Sequence, residues 1–142
     1  MITYFDTSAV VPLLVAEPAS AFCRQLWDSS DAVVTFRLLY VETAAALAQA
    51  LRLDRIRHRD HQAALRLLDQ LWEEFDIVEA DAQVIDRAAE LAHAAALRGY
   101  YAVHCASAEQ VTDADLVLAS GDHALLTATA RLGIATADTN GN

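Results

Sequence analysis

The sequence predicts an α/β domain around a mainly parallel sheet. Three observations carry that expectation. Short apolar runs of β type alternate with longer stretches of helical periodicity. Acids directly follow two of the apolar runs, at Asp6 and Asp122, as they do where a parallel strand hands over to a helix. The 142 residues suffice for one compact core and are too few for two.

Strands are expected at 2–5, 32–36, 76–78, 116–119 and 134–136, in an order that spacing does not give. A first helix follows Asp6. A second, at 20–29, carries Phe22, Leu26 and Trp27 at helical spacing behind Pro18. Positions 38–51 form an Ala-rich helix. The stretch 60–75 puts Ala64, Leu65, Leu68, Leu71, Trp72 and Phe75 on one stripe, and 81–98 does the same with Val84, Ile85, Ala88, Leu91, Ala92 and Ala95, with Asp81 as N-cap. Gly99 reads as a helix stop, and 101–110 and 123–132 as the last two helices. Residues 1–138 make one domain, and 139–142 a flexible tail.

A content of 55% hydrophobic and 21% charged residues belongs to a folded chain. No segment approaches the length of an apolar membrane span, and the start lacks the pattern of a signal peptide, so a cytoplasmic protein with no membrane contact is expected. Cys23 and Cys105 stand far apart with no neighbouring Cys, which excludes a CxxC pair or zinc knuckle. All ten basic residues are Arg, and the absence of Lys removes Schiff-base and phosphate-clamp chemistry. A net charge of −10 argues against nucleic-acid binding through a broad basic surface. Acids converging on one cleft have a different use, because they attract a divalent cation that then faces a phosphate. The plainer alternative is acidity for solubility.

Asp6, between Ile-Thr-Tyr-Phe and Thr7-Ser8-Ala9, sits at the ligand end of the first strand or serves as a simple N-cap. Glu42 is the lone acid of an apolar helix, either buried with a cation partner or exposed on an Ala-faced helix. Asp122 repeats the strand-then-acid pattern, whereas Asp113 and Asp115 precede their strand and read as turn residues. Three like charges at one point stay ionised only around a cation, and an all-oxygen set favours Mg²⁺ or Mn²⁺. Arg52, Arg55, Arg57 and Arg59 cluster at a helix end, to meet RNA phosphates or only to complement the helix terminus. His58 and His61 read as surface residues, and His104 with Cys105 makes no dyad, because adjacent helical side chains diverge. The aromatic residues Phe22, Trp27, Trp72 and Phe75 fill the core or line a groove for a partner helix.

The strings YFDTSAVVPLLVAEPAS, LYVETAAALAQAL, LRGYYAVHCASAEQ and DLVLASGDHALLTATARLGI resemble the four ordered blocks of the VapC family of PIN-domain ribonucleases, over nearly the whole chain. The resemblance implies a three-layer α/β/α fold and a magnesium-dependent endoribonuclease acting on RNA. It also implies the toxin role of a type II toxin–antitoxin pair, with a VapB-type antitoxin and a homodimer. It places metal-binding acids at Asp6, Glu42 and Asp122, and supporting hydroxyls at Thr7 or Ser8 and at Ser120. The third block departs from the pattern: where the family has Asp, this chain has Tyr101. A phenol is neutral near pH 7 and a poor Mg²⁺ ligand, so weak metal binding and poor RNA cleavage are expected.

Rival readings fare worse. A haloacid-dehalogenase-type phosphotransferase needs a second Asp at position 8, which is Ser, and a Lys; a receiver domain needs the Lys as well. The glycines at 99, 121, 133 and 141 form no phosphate cradle. A catalytically silent PIN-like binding protein remains, supported by Tyr101 alone.

Overall fold

A computed structural model of the chain describes residues 1–111 and 114–141. Asp113, read above as a turn residue, lies outside them. Five strands, β1 (Ile2–Phe5), β2 (Ala32–Phe36), β3 (Phe75–Val78), β4 (Leu116–Ser120) and β5 (Ala135–Asp138), form one sheet of order β3-β2-β1-β4-β5. Every pairing is parallel, which sharpens the expectation of a mainly parallel sheet. The helices are α1 (Thr7–Leu14), α2 (Ser20–Ser29), α3 (Leu39–Arg52), α4 (His58–Glu74), α5 (Ala82–Ala94), α6 (Gly99–Gln110) and α7 (His123–Arg131).

The pleat of β1 divides two cores, because successive side chains of a strand face opposite ways. Tyr4 joins Val34, Phe36 and Leu118 on the face covered by α5, α6 and α7, through Leu91, Cys105, Ala106 and Leu125. Phe5 joins Val33 and Ala119 on the other face, against Val10, Leu13, Leu47 and Leu68 from α1, α3 and α4. The result is the expected three-layer α/β/α arrangement. Trp27, Trp72 and Phe75 belong to this second core, where Phe75 stands edge-on to Trp27 with ring centroids 5.2 Å apart.

Several boundaries moved, each for a local reason. The fourth helix begins at His58 rather than 60, with Asp60 in its first turn reaching back to accept from the Arg57 amide at 3.3 Å. Phe75 leaves that helix for β3. The fifth helix stops at Ala94 instead of running to 98, since Ala96 adopts a left-handed φ of 52°. Gly99, read as a stop, is instead the first residue of α6. Asp81 caps α5 as expected, accepting from the Val84 amide at 2.9 Å. Asp115 lies at the amino end of the sheet, 3.0 Å from the terminal ammonium of Met1. Of the flexible tail expected at 139–142, Thr139 is instead packed, 4% exposed with its amide bonding the Ser120 carbonyl at 3.0 Å; Asn140 and Gly141 are exposed, and Asn142 lies outside the described residues. No helix among the described residues is long and apolar enough to cross a membrane.

Leu118 is fully buried in β4, next to the central strand. Leu118→Ala is expected to cost about 2–5 kcal/mol, read as a lower urea midpoint at unchanged slope, while the same change at exposed Leu53 stays within about 0.5 kcal/mol.

Candidate active site at the switch point of the sheet

Chain order reverses between β1 and β4, the two strands from which the sheet grows in opposite directions. In open parallel sheets the crevice beyond the carboxyl ends of such a pair is where ligands bind. Asp6 follows β1 and Asp122 follows β4, so both acids flank that crevice. Glu42 lies in the first turn of α3, the helix that follows β2.

Asp6 is 1% exposed and fully engaged. Its Oδ1 accepts from the Ser8 hydroxyl at 2.7 Å and from the Ala9 amide at 3.1 Å, which makes it the N-cap of α1 as well. Its Oδ2 accepts from the Ser120 hydroxyl at 2.7 Å. The same two serines tie down the opposite loop: Ser8 Oγ accepts from the Gly121 amide at 2.8 Å, and Ser120 Oγ from the Asp122 amide at 3.0 Å. Asp122 caps α7, accepting from the Leu125 amide at 2.8 Å. Ser8 and Ser120 thus stitch the β1–α1 turn to the β4–α7 turn. Gly121 fits there because a Cβ would meet Thr139 Oγ1 at 3.0 Å.

Glu42 is reached from two sides. The Thr7 hydroxyl lies 3.4 Å from Oε2, and His104 Nε2 lies 3.3 Å from Oε1. His104 is fully buried on α6 and was assigned no role from the sequence. The signal that could have found it is its place three residues after Tyr101, on a helix whose other inward positions are Ala and Ser.

Tyr101 lies in the first turn of α6 and is half-buried. Burial raises its phenol pKa above the ordinary value, and the nearby Asp122 carboxylate raises it further, so at neutral pH the ring keeps its proton. Tyr100 beside it is also pushed up, mainly by burial, with its ring centroid 5.5 Å from that of His104. The arginine cluster lies apart from these acids. Arg55 and Arg57 line a cleft of about 500 Å³ at the far end of α3, with Leu51, Ile56 and His58.

The donor chemistry at the crevice is all oxygen, as a hard cation requires, but the assembly is not an ion's shell. Both oxygens of Asp6 already accept hydrogen bonds, Asp122 accepts from the Leu125 amide, and Glu42 faces His104. Among the described residues no three His, Cys, Asp or Glu side chains stand close enough together to hold a metal. With Tyr101 in place, these residues do not fit the divalent ion that the resemblance implies.

A parallel sheet with acids at its switch point, joined across the crevice by serines, defines an open α/β protein with an acidic crevice. The chain belongs to the PIN-domain family, whose pattern matches residues 3–132. It is 43% identical over 126 residues to Ribonuclease VapC45 of Mycobacterium tuberculosis, covering 89% of this chain and 88% of that one. The solved structure of the M. tuberculosis VapC20, a sarcin-ricin loop cleaving toxin, superposes with a TM-score of 0.69 at 19% identity, over 89% of this chain and 94% of that one. A toxin–antitoxin complex from Klebsiella pneumoniae contributes a chain with a TM-score of 0.60 at 14% identity, over 84% of this chain and 86% of that one.

Burial raises the pKa of Asp6 above the ordinary carboxylate value, against the lowering effects of His104, Ser8, Ser120 and the Ala9 amide. A folded-state pKa above the unfolded one means that the stability from protonated Asp6 is complete below the unfolded value and is lost as pH rises through the folded one. At neutral pH the buried anion is therefore a cost. In chelator at pH 7.5, Asp6→Asn should raise the thermal midpoint by about 3–4 °C, the shift that about 1 kcal/mol produces in a chain of this length. The gain should fade as the pH is lowered past the raised pKa. A lower midpoint for the Asn variant at pH 7.5 would contradict the assignment.

Proposed function

We propose that this chain is the toxin of a type II toxin–antitoxin pair, a metal-dependent endoribonuclease by family whose centre is weakened by Tyr101. The observation that carries the reading is the pair Asp6 and Asp122 at the switch point, bridged by Ser120, with Glu42 held beside them. It is supported by 43% identity over most of the chain to a protein named as a ribonuclease. The substrate is RNA, and the partner is a VapB-type antitoxin, by likeness to chains solved in toxin–antitoxin complexes. A homodimer in the cytoplasm completes the assignment.

The acids of the reading are Asp6, Glu42 and Asp122, with Thr7, Ser8 and Ser120 orienting them. The implied cofactor is Mg²⁺ or Mn²⁺, which a fourth carboxylate at position 101 would help to hold. In this chain that position contributes a neutral donor. Tyr101 removes one formal negative charge and one set of coordinating oxygens, and it sets a protonated phenol near Asp122. The second reading, a silent PIN-like protein that keeps antitoxin or RNA binding, is favoured by that same phenol.

Comparing this chain with its Tyr101→Asp variant separates the two. The variant is expected to cleave RNA at least about 100-fold faster in Mg²⁺ or Mn²⁺, the order of loss seen when a metal site's supporting group is removed. Equal cleavage by both proteins would refute the role given to Tyr101. Antitoxin binding with no cutting by either protein, in either metal, would establish the silent reading.

A further inference from the structure

A buried polar chain runs from the central strand through α6 to Glu42. His104 is fully buried on α6, and Tyr4 is fully buried on β1, at the centre of the sheet. The Tyr4 hydroxyl lies 2.7 Å from His104 Nδ1. On the opposite edge of the imidazole, Nε2 lies 3.3 Å from Glu42 Oε1 and 3.4 Å from Oε2, astride the carboxylate. The rings of Tyr4 and His104 meet edge to face, with centroids 5.7 Å apart, and Phe36 packs against the same imidazole at 6.4 Å.

The proton positions along this chain follow from its two ends. Burial lifts the Tyr4 phenol well above its ordinary pKa, so it keeps its proton. An ionised Glu42 has only lone pairs to offer. If Nε2 carried no hydrogen, a nitrogen lone pair would face two carboxylate oxygens in a dry setting, which is repulsive. Nε2 therefore carries the proton whether the ring is neutral or cationic, and in the neutral ring the Tyr4 hydroxyl donates to Nδ1.

The structure assigns His104 as the residue that positions Glu42: its Nε2–H donates across both carboxylate oxygens, and Tyr4 anchors the ring from Nδ1. The terminal torsion of a Glu side chain is a broad, two-fold rotor, so a carboxylate on a helix surface turns freely unless a donor holds it. Thr7 approaches one oxygen of Glu42 and leaves the rotor half controlled. A donor fixed in the core removes the remaining freedom. It also sets the direction in which Glu42 presents its outer lone pairs to the crevice. Such outer partners of acidic and metal-binding groups govern how the groups themselves perform.

The hydrogen bond is independent of the nuclease reading; its effect on cleavage rests on that reading. The first measurement is made on the unaltered chain, labelled with ¹⁵N at histidine and with the His104 signals identified by their loss in His104→Gln. Nε2 of His104 is expected to be protonated, with the nitrogen shift of an N–H and a coupling to its ring proton. A bare Nε2 overturns the assignment. The second measurement uses Tyr101→Asp as the parent and adds His104→Leu, which removes the donor, or His104→Gln, which returns an N–H near the place of Nε2.

The Leu variant is expected to lose about 10–100-fold in kcat with little change in KM, and the Gln variant to recover most of the loss at a similar thermal midpoint. If Leu and Gln lower kcat equally, or if kcat simply follows the midpoint, His104 is a core residue and the positioning role is wrong. A Tyr101→Asp parent that cuts no RNA would overturn the nuclease reading instead, and the nitrogen shift would then decide the hydrogen bond by itself.

Discussion

A carboxylate at the end of the central strand has almost no water to solvate it, and the fold around Asp6 is arranged to meet that demand. The amide of Ala9 and the hydroxyls of Ser8 and Ser120 supply three donors to its two oxygens. Each donor has a second task. The Ala9 contact starts α1, and the two serines accept from the Gly121 and Asp122 amides, which sets the start of α7. The anion thereby fixes how two turns from distant parts of the chain, one near residue 6 and one near residue 120, sit side by side. An isolated buried charge would be prohibitive, and this one persists at a reduced but real cost.

The charge pattern around this centre differs on its two sides. Towards α6 and the sheet, His104 offers a donor to Glu42 and lowers the pKa of Asp6. Towards Asp122, the Tyr101 phenol keeps its proton near the carboxylate. The acidic oxygens are consequently matched by protons that the protein itself provides.

Much of this was legible in the sequence. Asp6 and Asp122 announce themselves by following apolar runs, and the sheet confirms that those runs are β1 and β4. The departure at Tyr101 is visible as soon as the third block is read. Strand order was not legible, because it depends on which helices cross which face. The helix ends at Ala94 and Gly99 were missed because a left-handed Ala96 carries no compositional flag. Tyr4 and His104 were invisible for a related reason. A Tyr in an apolar strand and a His among alanines look like filler until the fold brings them to 2.7 Å across a hundred positions of chain.

The close approach of Thr139 to Gly121 limits how the crevice beside Asp122 can open. The turn that carries Asp122 is clamped by Ser8 below and by Thr139 and Asn140 along its flank, where Asn140 Nδ2 bonds the Gly121 carbonyl at 3.1 Å. A turn pinned from both directions has little room to breathe. Any widening of the cleft mouth then falls to the side where α3 begins, where Leu38 and Val41 are exposed.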